Sequence, residues 1–175
     1  MTFMDFTTLF SDLFKTAVFD STLRRHTCAL EVDYGLSEET MRQDLLRSGY
    51  DFLLCAEKIQ ETRSHFGRAQ VTLVFFHWDM TVQADTVVSL MGDVCCVPAM
   101  HIELKALALE IEKQPKEKRL KTTPPFQCLG TKLIHPEHAD EVSVPCFLLD
   151  QQRLEWDLPL LAGTFPAEWI FVGIY

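Results

Sequence analysis

Residues 71–78, Val-Thr-Leu-Val-Phe-Phe-His-Trp, limit the folds open to this chain more than any other segment. The run is rich in β-branched and aromatic side chains, which favour strand. Both of its alternating faces are apolar, so neither can be left to water. A central strand covered on two sides is therefore expected. The material to cover it is present: 47% of the residues are hydrophobic, with 13 Phe and only 7 Gly. That composition belongs to a packed chain and not to a disordered one. A length of 175 residues suits a single domain over 1–175. If it subdivides, the parts are 1–112, a basic connection at 113–121, and 122–175.

Several segments ahead of that connection read as helix. Phe3, Phe6, Phe10, Leu13, Phe14 and Ala17 recur at steps of three and four, the spacing of one helix face, so residues 2–19 are expected to be amphipathic helix. The stripe has two uses: packing on the core, or docking a partner through Phe3, Phe6, Phe10 and Phe14. Residues 28–34 alternate weakly, as a short strand does. Ser37 is a suitable N-cap ahead of Glu38 and Glu39, and Gly49 a suitable stop, which predicts a helix over 36–49. A second follows over 50–64. Residues 85–94 read as a short helix with Val87, Val88, Met91 and Val94 inward. Pro98 suits a first helical position, and the Ala, Leu, Glu and Lys after it favour helix. The alternation of Ile102, Leu104 and Ala106 fits strand as well, but helix is the reading adopted.

The final third reads as short strands at 126–134, 142–149, 153–158 and 168–175, separated by turn or breaker residues. Few residues separate the second and third runs, so a hairpin is expected there. Pro145 demotes the second run towards an edge or a bulge. The expected fold class is α+β: a helix-rich N-terminal two-thirds with a central strand, followed by a C-terminal antiparallel β-meander.

Charge narrows the partners. The net charge is −9, from 16 basic and 25 acidic residues. That balance argues against binding nucleic acid phosphates or an anionic membrane, and favours solubility or a basic protein partner. Residues 113–121 run against the trend, with five basic residues and one acidic, a local +4. The run has no aromatic interleaving for base stacking, so an exposed connection is expected. The six cysteines are irregularly spaced, and no signal-peptide pattern opens the chain. Reduced thiols in a cytoplasmic protein are the expectation.

Chemistry has few places to sit. There is no Gly-rich phosphate loop, CxxC, HExxH or GxSxG. His135, His138, Asp140 and Glu141, with Glu137, are residue types that suit zinc or another divalent metal, although loop spacing lacks the facing that a helix supplies. His77, at the end of the 71–78 run, has Asp79 beside it and is a candidate general base. Cys95-Cys96 is a vicinal pair poorly suited to an ordinary disulfide. Arg24-Arg25-His26 and Arg63-Ser64-His65 are small basic clusters that suit an anion or plain solvation. No cofactor is expected, with zinc as the alternative.

The function favoured by these features is a small acidic protein-interaction module, such as an immunity protein, an antitoxin or a phage-encoded inhibitor. The alternatives are a metal-dependent hydrolase at His135 and His138, and a structural subunit of a virion or secretion assembly.

Overall fold

The computed structural model describes residues 6–14, 17–20, 25–36, 42–43, 46–47, 58–61, 66–115, 119–135, 138 and 140–175. The expected central strand is β4, Arg68–Phe76. Its partners are β2 (Arg25–Asp33) on one side and β13 (Ile170–Ile174) on the other, both antiparallel. Outside β2 lies β1 (Ala17–Asp20). Outside β13 lies β7 (Phe126–Gln127), which runs parallel to it. Then come β10 (Cys146–Asp150) and β11 (Arg153–Asp157). The order of this eight-stranded sheet is β1-β2-β4-β13-β7-β10-β11, and β6 (Val97–Pro98) pairs with β13 further along its edge. A second sheet holds β3 (Lys58–Glu61), β8 (Thr131–Ile134) and β9 (Val142–Ser143). A two-residue ribbon joins β5 (Val82–Gln83) to β12 (Thr164–Phe165).

Alternation along the central strands builds two cores. Cys28, Leu30, Val32, Leu73, Phe75, Ile170, Val172 and Ile174 face one side, where α1 (Phe6–Leu13) and α3 (His101–Glu112) cover them. Val74, Phe76 and Phe171 face the other, under α2 (Ala84–Asp93) and Phe165 of the ribbon. Leu73, Val74 and Phe75 are fully buried and Phe76 nearly so, as two-sided apolarity requires. Packed this way, a buried Leu or Phe contributes about 1.5–3 kcal/mol.

The α+β expectation is corrected by this architecture. The chain is mostly β, a large mixed sheet with few short helices, and is not helix-rich. Three elements account for the difference. The N-terminal helix ends at Leu13, and Ala17–Asp20 is an edge strand on β2. Residues 58–61, expected to close a helix over 50–64, pair with β8. The rest of 50–64 and most of 36–49 lie outside the described residues, although 42–43 and 46–47 are helical. The C-terminal strands do not form a meander. β10 and β11 make a hairpin in the large sheet, while β8 and β9 pair with each other in the second sheet and β13 inserts between β4 and β7.

The helix at 101–112 begins three residues beyond Pro98, which belongs to β6. A buried carboxylate sets that start. Glu103 accepts from the Met100 backbone N–H at 2.6 Å and from the Tyr34 hydroxyl at 2.6 Å, so α3 is tied to the end of β2. Glu103 is fully buried, and these charge-assisted bonds offset its desolvation.

Two turns show where backbone geometry rules. The β10–β11 hairpin closes through Gln151 (φ 46°) and Gln152 (φ 67°), both left-handed as a two-residue turn demands. Non-glycine residues there cost about 1–2 kcal/mol each. Strand pairing and the Gln152 N–H bond to the Lys121 carbonyl, 2.9 Å, offset that cost. At Gly130 the chain passes so close to β6 that a Cβ would stand 2.6 Å from the Ala99 carbonyl oxygen and 2.7 Å from that of Pro98. A Cβ on Gly92, in α2, meets nothing within 4 Å. Urea unfolding is therefore expected to separate the two: Gly130→Ala loses about 1–3 kcal/mol, whereas Gly92→Ala gains about 0.5–1 kcal/mol. Equal midpoints for the two variants would contradict the close approach at Gly130.

Candidate functional site

The central strands end in aromatic and ionisable residues. Beyond Phe76 the chain continues His77-Trp78-Asp79-Met80, and just before Ile170 it reads Glu168-Trp169. Phe171 pairs with Phe76 in the antiparallel register, so Trp78 and Trp169, each two residues outward, come to the same sheet end. Trp78 stacks on Phe76 with ring centroids 6.2 Å apart and meets Phe171 edge-on at 5.8 Å. Trp169 tilts against Phe165 at 5.2 Å, and Phe165 meets Phe171 edge-on at 5.3 Å. Both tryptophans are half-buried, their inner edges held by the core and their outer edges open. Met80 is 65% exposed, and Asp79 and Glu168 are exposed beside them.

β2 adds its first residues to the same end. Arg25 stands opposite Asp20, with its guanidinium carbon 5.5 Å from the centre of the Phe76 ring. His26 pairs with Phe19 on β1 and Phe75 on β4, and its ring lies 4.8 Å from Phe10 and 5.3 Å from Phe19. Phe19 is 59% exposed. His77 joins this group electrostatically. Burial pushes its pKa down, the Arg25 and His26 charges push the same way, and Asp79 opposes them. A neutral imidazole able to accept a proton results. Sequence reasoning singled out His77 and Asp79 and noted Arg25 and His26 only as a small basic cluster. It missed Trp169 as their neighbour. The available signal was a His-Trp and a Glu-Trp each bordering an apolar run, but the pairing of β4 with β13 had to be known first.

The remaining candidates go elsewhere. Phe10 and Phe14 are buried, stacked on Phe75 at 4.5 and 5.6 Å, so their rings serve the core and present nothing to a partner. Phe3, and the side chain of Phe6, lie outside the described residues. His135 and His138 come together with ring centroids 5.4 Å apart in the loop between β8 and β9. That loop is closed by the His135 N–H to the Glu141 carbonyl and the Glu141 N–H to the His138 carbonyl. Asp140 and Glu141 are exposed there, and Glu137 lies outside the described residues. Among the described residues no three His, Cys, Asp or Glu are grouped to hold a metal ion.

The five described cysteines are free thiols. Cys95 is exposed, with a left-handed backbone, and Cys96 is buried, so the vicinal pair is divided between surface and core. Burial pushes Cys96 up to about 11, and raises Cys128 and Cys146 further. These three stay protonated at neutral pH and are packing groups, not nucleophiles. No helix among the described residues is long and apolar enough to cross a membrane.

The depressed pKa of His77 fixes a sign. Its folded value lies below the ordinary 6.5, so the unfolded chain binds the extra proton first as pH falls. Stability from this group is present above 6.5 and is lost on acidification towards the folded pKa. Urea midpoints measured across that window are expected to fall less steeply in His77→Gln than in the wild type. An unchanged slope would show that His77 titrates alike in both states.

No family model, no curated protein and no solved structure matches the chain.

Proposed function

We propose that this chain acts by binding a protein partner at the sheet end formed by Trp78, Met80 and Trp169. The supporting observation is that two half-buried tryptophans, far apart in sequence, come to the same sheet end, Trp78 packed on Phe76 and Phe171 and Trp169 on Phe165, which itself meets Phe171. Interfaces concentrate their binding energy in Trp, Tyr and Arg, with Met and Phe enriched beside them. Rings already held on one side lose little freedom on docking. Asp79 and Glu168 rim the patch in a chain of net charge −9, and this favours a basic partner. The class of protein described is a small acidic binder that acts by occluding its partner, as an immunity protein, an antitoxin or a phage-encoded inhibitor does.

The test is affinity capture from the native lysate, quantified by mass spectrometry, with two surface variants. Met80→Arg places a charge in the patch at a side chain that is 65% exposed, so the fold tolerates it. Tyr175→Arg does the same at the far end of β13, where Tyr175 is 66% exposed. Met80→Arg is expected to cut recovery of the partner about tenfold or more, and Tyr175→Arg to leave it intact. Equal recovery with both variants would remove the patch from the proposal.

A second reading, a metal-dependent hydrolase, draws support from the meeting of the His135 and His138 rings alone. It requires the chain to bind about one zinc with a rise in melting temperature. Indifference of the melting curve to zinc and to chelator would end it.

A further inference from the structure

Residues 119–121 lie against the tip of the β10–β11 hairpin, and a groove of about 360 Å³ opens between Glu112, Arg119 and that tip. Glu112, Arg119, Gln151, Gln152, Arg153 and Leu154 line it. Arg119 is held in place from behind. Its Nε donates to the Gln114 carbonyl at 3.0 Å and its Nη2 to the Glu112 carbonyl, while Nη1 makes no hydrogen bond among the described residues. The hairpin tip is latched to the same segment, through the Gln152 N–H to the Lys121 carbonyl at 2.9 Å and Gln152 Nε2 to the Arg119 carbonyl at 3.2 Å. Arg153, opposite, is exposed and forms no ion pair among the described residues. Two consecutive glutamines hold left-handed backbone at the tip, where Asn-Gly is the ordinary choice, and both line the groove.

We propose that this groove binds a small dianion, the phosphoryl group of a phosphate monoester. Two guanidinium groups from separate elements, one locked in orientation, suit the planar, forked hydrogen bonding of a phosphoryl oxygen pair. The Gln151 amide supplies further donors. Glu112 offsets one positive charge, so two arginines face one carboxylate among the described lining residues. The volume falls within the usual range for small-molecule sites and leaves room for an ester substituent beyond the phosphoryl group. A polynucleotide is disfavoured on two grounds. The net charge of −9 repels an extended polyanion, and the described lining residues include no aromatic ring for base stacking.

The test uses the full chain, titrated calorimetrically and in thermal melts with inorganic phosphate and with glycerol phosphate. Sodium chloride keeps the ionic strength constant. Saturable binding is expected, tighter for the ester. Arg153→Gln, at an exposed side chain whose loss leaves the fold intact, is expected to weaken it about tenfold or more. Arg68→Gln, a surface arginine paired with Asp33 at 3.1 Å, is expected to leave it unchanged. The proposal fails if phosphate does no more than matched chloride, or if Arg153→Gln binds as the wild type does. It fails too if a single-stranded oligonucleotide binds more tightly than glycerol phosphate.

Discussion

Residues 73–76 of β4, and β13 along its length, have no face to give to water. Leu73 to Phe76 point alternately into two cores, and Ile170 to Ile174 answer them across the antiparallel ladder. Helices α1 and α3 close one side, while α2 and the β5–β12 ribbon close the other. Close approach follows from the same demand. Gly173 on β13 leaves a side chain little room: a Cβ there would stand 3.1 Å from the Phe76 ring and 3.3 Å from the Val97 carbonyl oxygen, so a neighbour would have to give way. Where the covering layers run out, at the end marked by Phe76 and Phe171, the last aromatic rings are left half-covered. The candidate site is thus a consequence of how the core ends.

Polar groups tie these layers together at a few points. Glu103 joins the start of α3 to Tyr34 at the end of β2, and because it is fully buried its hydrogen bonds to Met100 N–H and the Tyr34 hydroxyl are needed. On the surface, Asp33 gains from the Gly35 N–H and the Arg68 guanidinium, which together hold its carboxyl below the usual range. Gln152 and Arg119 secure the basic segment to the β10–β11 hairpin. Charge in this molecule is therefore organised locally, with an acidic whole, a basic groove at the hairpin tip and a mixed cluster of Arg25, His77 and Asp79 at the opposite sheet edge's neighbouring strands.

What could be seen in the residues follows physical range. The run at 71–78 announced a central strand because two apolar faces admit no other reading, and the helices at 84–93 and 101–112 show in local propensity and spacing. The hairpin at Gln151-Gln152 shows in its short separation. The N-terminal stripe misled because Ala17–Asp20 continues a helical period yet is captured by β2, a tertiary pairing that overrides local pattern. The placement of β13 between β4 and β7 is equally invisible, since it joins segments distant along the chain. The same holds for the site. His77 and Asp79 could be named from residue type, but the arrival of Trp78 and Trp169 at one sheet end depends on that one non-local ladder.

Amide hydrogen exchange, read by mass spectrometry on the chain alone and bound to its captured partner, tests the central claim most directly. New protection confined to 77–80 and 166–169 is the predicted result, with the core strands unchanged. Protection falling instead on α3 or on β11, with 77–80 exchanging as in the free chain, would contradict it.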